Sequence, residues 1–275
     1  MQKKNLWEPI RKTEKYYQRK LLWLFNKVIS ESIGLDFNNI LQNVIELTNS
    51  KTFLDFSANF AKTMLTTTND NVYKTWRHAV LGNTKSQLIY NRLQADINND
   101  VAFELQKLMD ENIMYIKSQP VFIAEKIVQI ANQYVQEGRR SEEIRNILLR
   151  QYPHMTKSKA TLIARTEASK ASNNLVQVRA QRLNMNWYKW ITAKDQRVRT
   201  SHAHMNGVIA NFNDPPSPEK LIGKKSQGEY NPGNFPNCRC FASIIVDIDL
   251  IKFPAKVYYN GQIVRMTRKQ FKRII

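Results

Sequence analysis

The sequence predicts a mainly α protein that ends in a small α+β module: a long helical N-terminal body, then a mixed domain with a buried strand after a Cys-x-Cys pair. Three observations carry this. Apolar residues recur at steps of three and four through about the first 185 residues. From Trp187 the period changes to alternation. With 8 Gly and 9 Pro in 275 residues, a loop-rich all-β chain is excluded.

The elements follow in order. Segment 10–30 carries Tyr17, Leu21, Leu22, Leu24 and Phe25 among basic residues and reads as an amphipathic helix whose aromatics belong to a core. Asp36 is placed to cap a second helix, with Phe37, Ile40, Leu41, Val44 and Leu47 on one side. A third helix, 51–67, is expected to stop at the polar run TTTNDN (66–71). Segments 72–96, 98–117 and 120–136 continue the pattern, with Ile123, Ile127, Ile130 and Tyr134 its clearest stripe. Gly138 ends that helix. Ser141 opens the next as its cap, and Glu142 and Glu143 sit where the helix dipole favours acid. In 157–183, Ala160, Ala164, Ala168 and Ala171 form one narrow face for close helix packing.

WYKWITA (187–193) then reads as a strand, and 195–207 as a polar stretch stopped by Gly207. Residues 211–236, rich in Pro, Gly, Asn and Ser, form a long loop. CFASIIVDI (240–248) reads as a buried strand, and VYYNGQIV (257–264) as a hairpin on an Asn-Gly turn.

Hydrophobic residues at 42% exclude global disorder, and no apolar run approaches membrane-spanning length. The N-terminus is basic but lacks the apolar stretch of a secretory signal, so nothing points to an oxidising compartment. The net charge is +19, and its placement is uneven. Residues 1–30 hold eight Lys/Arg against two Glu, and residues 251–275 hold seven Lys/Arg and no acid. The two ends thus supply most of the excess, which makes a polyanion the expected partner: each neutralised phosphate releases counterions and adds sequence-independent affinity. Lys3, Lys4, Arg11, Lys12, Arg265, Arg268, Lys269, Lys272 and Arg273 are the candidate contacts to double-stranded DNA. Solvated basic helices are the plain alternative.

Cys238 and Cys240 are the two cysteines. In a strand they would share a face, with Arg239 opposite. A disulfide between residues two apart closes a small strained ring. The thiols either pack as small apolar groups or supply half of a zinc site, with His202 and His204 as partners. If 202–204 is extended, both imidazoles share a face; if it is helical, they lie about 200° apart and only one can join. No nucleophile elbow, phosphate-binding glycine loop or HExxH helix is present, and Asp195, Glu167 and His202 have no spacing that makes them an acid/base set, so no enzyme is expected.

The stretches LIARTEASKASN (162–173), WYKWITAKDQRVRTSHAHMNG (187–207) and PGNFPNCRC (232–240), in this order and followed by an apolar strand, resemble the phage head morphogenesis domain of Mu F-like minor head proteins. Arg165, Thr166, Glu167, Trp190, Asp195, Arg197, Arg199, His202, Cys238, Arg239 and Cys240 match that pattern; His204 does not. The mismatch leaves His202, Cys238 and Cys240 as the ligand trio for zinc, with Asp195 as a fourth. The resemblance implies a minor capsid protein of a tailed phage or prophage. Such a protein associates with the portal inside the procapsid, contacts scaffold and capsid proteins, and acts in head morphogenesis and DNA delivery. It also implies a place in the virion, and in the host cytoplasm during assembly. Residues 1–140 would then be a helical region for portal or scaffold contact, 141–250 the head module, and 251–275 a basic tail. Rival readings are a zinc-stabilised DNA-binding protein and a nuclease or toxin-type enzyme.

Overall fold

The computed structural model describes residues 5–35, 39–81, 91 and 100–275. Among the described residues the helices α1 (Arg11–Leu35), α2 (Ile40–Asn49), α3 (Lys51–Leu81), α4 (Asp100–Gln136) and α5 (Ser141–Arg182) come first. The module that follows contains β1 (Trp187–Ile191), α6 (Thr200–His204), β2 (Ile209–Asn211), β3 (Phe241–Ile244), β4 (Ala255–Tyr259), β5 (Gln262–Met266) and α7 (Arg268–Phe271). A long helical body followed by a small mixed sheet is the predicted class. The change of period at Trp187 is the point where strand replaces helix.

The described residues fall into two compact units. One draws on 11–35, 39–67 and 106–167, the other on 5–10, 68–81, 91, 100–105 and 168–275. In the first, Tyr17, Leu21, Phe25, Val44, Met64, Ile116, Ile123, Ile127 and Leu148 are buried, as the amphipathic stripes require. A polar chain crosses this core: the Tyr17 hydroxyl donates to Asn112 Oδ1 at 2.6 Å, and Asn112 Nδ2 donates to the Leu108 carbonyl at 2.8 Å and to the buried Glu167 carboxylate at 3.4 Å. Burial first, and Glu167 second, push the Tyr17 hydroxyl well above its ordinary pKa, which keeps it a donor.

The second unit contains the sheet, ordered β3-β1-β2-β4-β5. β1 pairs antiparallel with β2 and β3, β2 runs parallel to β4, and β4–β5 is an antiparallel hairpin. Asn260 (φ 49°) and Gly261 (φ 76°) form its turn, the Asn-Gly geometry that matches strand twist. The basic segment 251–275 supplies β4, β5 and α7. Val257, Met266 and Phe271 pack with Ile209 and Ala255 in one core, and Trp187 meets Phe271 edge-on at 5.0 Å.

Three local expectations are corrected. The run TTTNDN does not break a helix; α3 continues through it, because Met64, Leu65, Thr68, Val72 and Trp76 keep a buried stripe, and Thr63 and Thr67 hydroxyls bond the carbonyls four residues back. Segments 98–117 and 120–136, expected apart, are one helix over the described residues, α4, with Pro120 inside it, and Pro153 lies inside α5. An interior proline costs about 3 kcal/mol, and buried Asn112, Ile116, Ile123 and Ile127 hold α4 on both sides of Pro120. Finally, strand pairing starts at Phe241 and ends at Ile244, so the cysteines lie just before the strand. The Asp36 cap and Phe37 lie outside the described residues, as does the break between 96 and 98.

Candidate metal centre

The residues before the cluster dictate its backbone. The Pro-Asn turn puts Asn237 at φ 59°, and the Cys238 amide donates to the Phe235 carbonyl at 3.0 Å. The Cys240 amide turns to the Cys238 sulfur at 3.4 Å instead of to a neighbouring strand, which is why the ladder begins one residue later. The predicted alternation survives outside the strand: Cys238 and Cys240 are buried while Arg239 faces the other way.

His202 comes from α6, a single turn after Arg199. The helical alternative is therefore the one the chain adopts: His202 is buried and His204 is exposed. His202 Nδ1 lies 3.4 Å from Cys238 Sγ and 3.5 Å from Cys240 Sγ. These three ligand atoms lie within 4.8 Å of one another, and among the described residues no fourth His, Cys, Asp or Glu joins them. Separations of 3.4–3.5 Å are close to what neighbouring ligands on a tetrahedral zinc would show, given metal–ligand bonds of about 2.0–2.3 Å.

The surroundings are aromatic. Trp190 meets the His202 ring edge-on at 5.6 Å, Phe235 does so at 6.0 Å, and the Arg199 guanidinium covers Phe235 at 4.6 Å while donating to the Pro236 carbonyl at 2.9 Å. The Trp190 indole N–H is buried without a hydrogen-bond partner among the described residues. Its presence near Cys240 favours that thiolate, though more weakly than opposing groups disfavour it. The hydrogen bond from Cys240, then His202, lowers the Cys238 thiol to about 4 against the effect of burial. Cys240, as donor to Cys238 and by burial, is pushed up. Two sulfurs and one imidazole thus crowd a buried pocket: soft donors that can hold a metal ion, zinc-like in type, once the thiols are deprotonated.

Behind the imidazole lies a polar chain absent from the sequence-based candidates. His202 Nε2 is 3.0 Å from the Tyr230 hydroxyl; that hydroxyl is 2.8 and 3.0 Å from the two Glu219 oxygens, and the Ser201 hydroxyl donates to Glu219 at 2.9 Å. Burial raises the Glu219 carboxyl, but hydrogen bonds from Tyr230, Ser201 and backbone outweigh it and leave the group below its ordinary pKa. Burial and the Glu219 hydrogen bond push Tyr230 up. Glu219 and Tyr230 sit in the Pro/Gly-rich loop, where no periodicity or motif marks them.

The other predicted residues are placed as follows. Asp195 stands outside the cluster, its carboxylate taken by Arg239 at 2.5 and 2.6 Å; this pairing lowers its pKa. The Arg197 amide donates to the same carboxylate at 3.0 Å. Arg165 pairs with Glu14 at 3.4 Å, the Thr166 hydroxyl donates to the Leu162 carbonyl, and Glu167 belongs to the Tyr17–Asn112 chain; none is part of the cluster. Arg265, Arg268, Lys269, Lys272 and Arg273 are exposed around β5 and α7, with Arg268 paired to Asp249. Arg11 and Lys12 are exposed on α1 and line an open concavity with Lys15, Gln18 and Arg19. Lys3 and Lys4 lie outside the described residues. Among the described residues no helix is long and apolar enough to cross a membrane.

Residues 125–243 match the sequence profile of the family described as phage Mu protein F like protein. An uncharacterized protein of Haemophilus influenzae is 26% identical over 171 residues, which cover 62% of this chain and 35% of that protein. The chain thus spans about a third of the length of the curated relative it matches. No solved structure matches. The matched segment contains α5 from its first residue, β1, α6, His202 and both cysteines, and over residues 125–243 this chain is similar to phage Mu protein F like proteins.

Proposed function

We propose that this protein is a minor head protein of a tailed phage or prophage, associated with the portal inside the procapsid and acting in head morphogenesis and DNA delivery. The observation that carries the reading is the match of residues 125–243 to phage Mu protein F like proteins, over the segment that holds the Cys-x-Cys and His202. On this reading the helices of residues 1–140 contact portal or scaffold, residues 141–250 form the head module, and the basic segment 251–275 touches packaged DNA. The exposed Arg265, Arg268, Lys269, Lys272 and Arg273 support the last point, since packaged duplex is a dense polyanion and such contact needs no base readout. The His202–Cys238–Cys240 cluster holds zinc as a structural staple, because two sulfurs and an imidazole select a borderline-soft ion over magnesium or calcium.

The test is made on particles. Heads purified from a host carrying the intact gene are compared with heads from a host in which the gene carries an early stop. The reading expects the protein in mature heads at few copies relative to the major capsid protein, cross-linking to the portal in procapsids, and malformed or non-infective heads without it. A protein absent from both procapsids and virions would rule it out.

A further inference from the structure

The donors and acceptors behind His202 have one consistent proton assignment. The Glu219 carboxylate accepts from Ser201 and from Tyr230, so the single Tyr230 proton is committed to it. The phenol oxygen, 3.0 Å from Nε2, then has only lone pairs to offer and must accept. His202 therefore carries its proton on Nε2. That leaves Nδ1, 3.4 and 3.5 Å from the two sulfurs, as the ring nitrogen that faces them and is available to ligate.

We propose that Tyr230 and Glu219 are positioning residues of the metal centre: the carboxylate orients the phenol, the phenol holds the Nε2 proton, and Nδ1 is thereby presented as the ligating atom beside Cys238 and Cys240. This inference rests on the zinc reading above and extends it. A buried imidazole needs a partner for its second nitrogen in any case, and a carboxylate and a phenol in series hold that partner's orientation. In a metal ligand, anchoring the second nitrogen also fixes ring orientation and raises basicity. Ser201, on α6 beside His202, and Glu219, next to the 3-10 turn Lys220–Ile222, bring the chain together from two segments that have no contact in sequence.

The experiment uses the full chain and zinc itself. Zinc affinity is measured by competition with a chromophoric chelator for wild type, Tyr230→Phe and Glu219→Gln, and the His202 tautomer is read from long-range nitrogen–proton correlations in zinc-loaded wild type. One zinc per chain is expected in all three proteins. Affinity should fall about 10- to 100-fold in Tyr230→Phe and by a smaller factor in Glu219→Gln, and the wild-type proton should sit on Nε2. Wild type that takes up no zinc overturns the zinc reading and this one with it. Wild type with one zinc, but with unchanged affinity in Tyr230→Phe or with the proton on Nδ1, overturns the positioning role alone. Should Tyr230→Phe fail to fold, Glu219→Gln and the wild-type tautomer still decide.

Discussion

Asn173 and Gly233 leave no space between them: a Cβ at Gly233 would lie 2.1 Å from Asn173 Nδ2 and 2.7 Å from its Cγ. Asn173 projects from α5, where its amide also donates to the Ser169 carbonyl at 2.9 Å, and its oxygen accepts the Ala242 amide of β3 at 3.1 Å. One buried side chain therefore ties the helix to both the loop before the cysteines and the strand after them.

Gly233→Ala is expected to disturb this tie. Its φ of +90° lies where a side chain is strained, by about 1–3 kcal/mol, and the clash with Asn173 adds to that. At roughly 2–4 °C per kcal/mol for a chain of this size, Tm should fall by several degrees at least. Thermal unfolding followed by circular dichroism checks it. An unchanged Tm would mean that the loop relaxes away from the helix without penalty.

Cys240→Ser should lose the metal. Elemental analysis of wild-type protein purified without added metal is expected to give close to one zinc per chain, and the variant well below that, with a lower Tm. The Cys238 and Cys240 sulfurs each lie within 3.5 Å of His202 Nδ1, so a hydroxyl in place of one sulfur removes a soft ligand without opening a large cavity. Zinc-free wild type, with an unaffected Tm in Cys240→Ser, would leave packing as the account of the cluster.

Acid should weaken the Glu219–Tyr230–His202 chain. The folded Glu219 pKa lies below the unfolded value, about 4.3, so its contribution is fully present above that value and is lost as pH falls through the folded pKa. Wild type should therefore be more stable than Glu219→Gln at neutral pH, and the difference should shrink below about pH 4. Tm measured across pH 3–7 for both proteins tests the sign. A gap that widens in acid would contradict it.

Non-specific duplex DNA binding should depend steeply on salt, with a log–log slope of about −0.9 per phosphate contacted. Removing residues 251–275 is a poor test, since it would strip Val257, Met266 and Phe271 from the sheet core. Replacing Arg265, Lys269, Lys272 and Arg273 with Gln leaves that core intact and should flatten the slope. Identical slopes for the two proteins would place any DNA contact elsewhere.

Most of the described residues before Trp187 were legible as helix because the three- and four-residue period is a local property that burial then reproduces, as Tyr17, Leu21 and Phe25 show. The hairpin at Asn260–Gly261 was legible for a similar reason, since its turn conformation is dictated by two residues. Helix ends were read less well. The polar run at 66–71 and the segment boundary before residue 120 were read as breaks, whereas packing on both sides of each carries the helix through. The trio of His202, Cys238 and Cys240 could be named from the chain, but the choice between His202 and His204 needed the backbone of α6. Only the tertiary structure assigned Asp195 to Arg239 and brought Glu219 and Tyr230 behind the imidazole. The physical reason is that periodicity and turn chemistry act between residues a few positions apart. A hydrogen-bond chain assembled from a one-turn helix and an aperiodic loop is decided only when the sheet and the aromatic shell fix both segments in place.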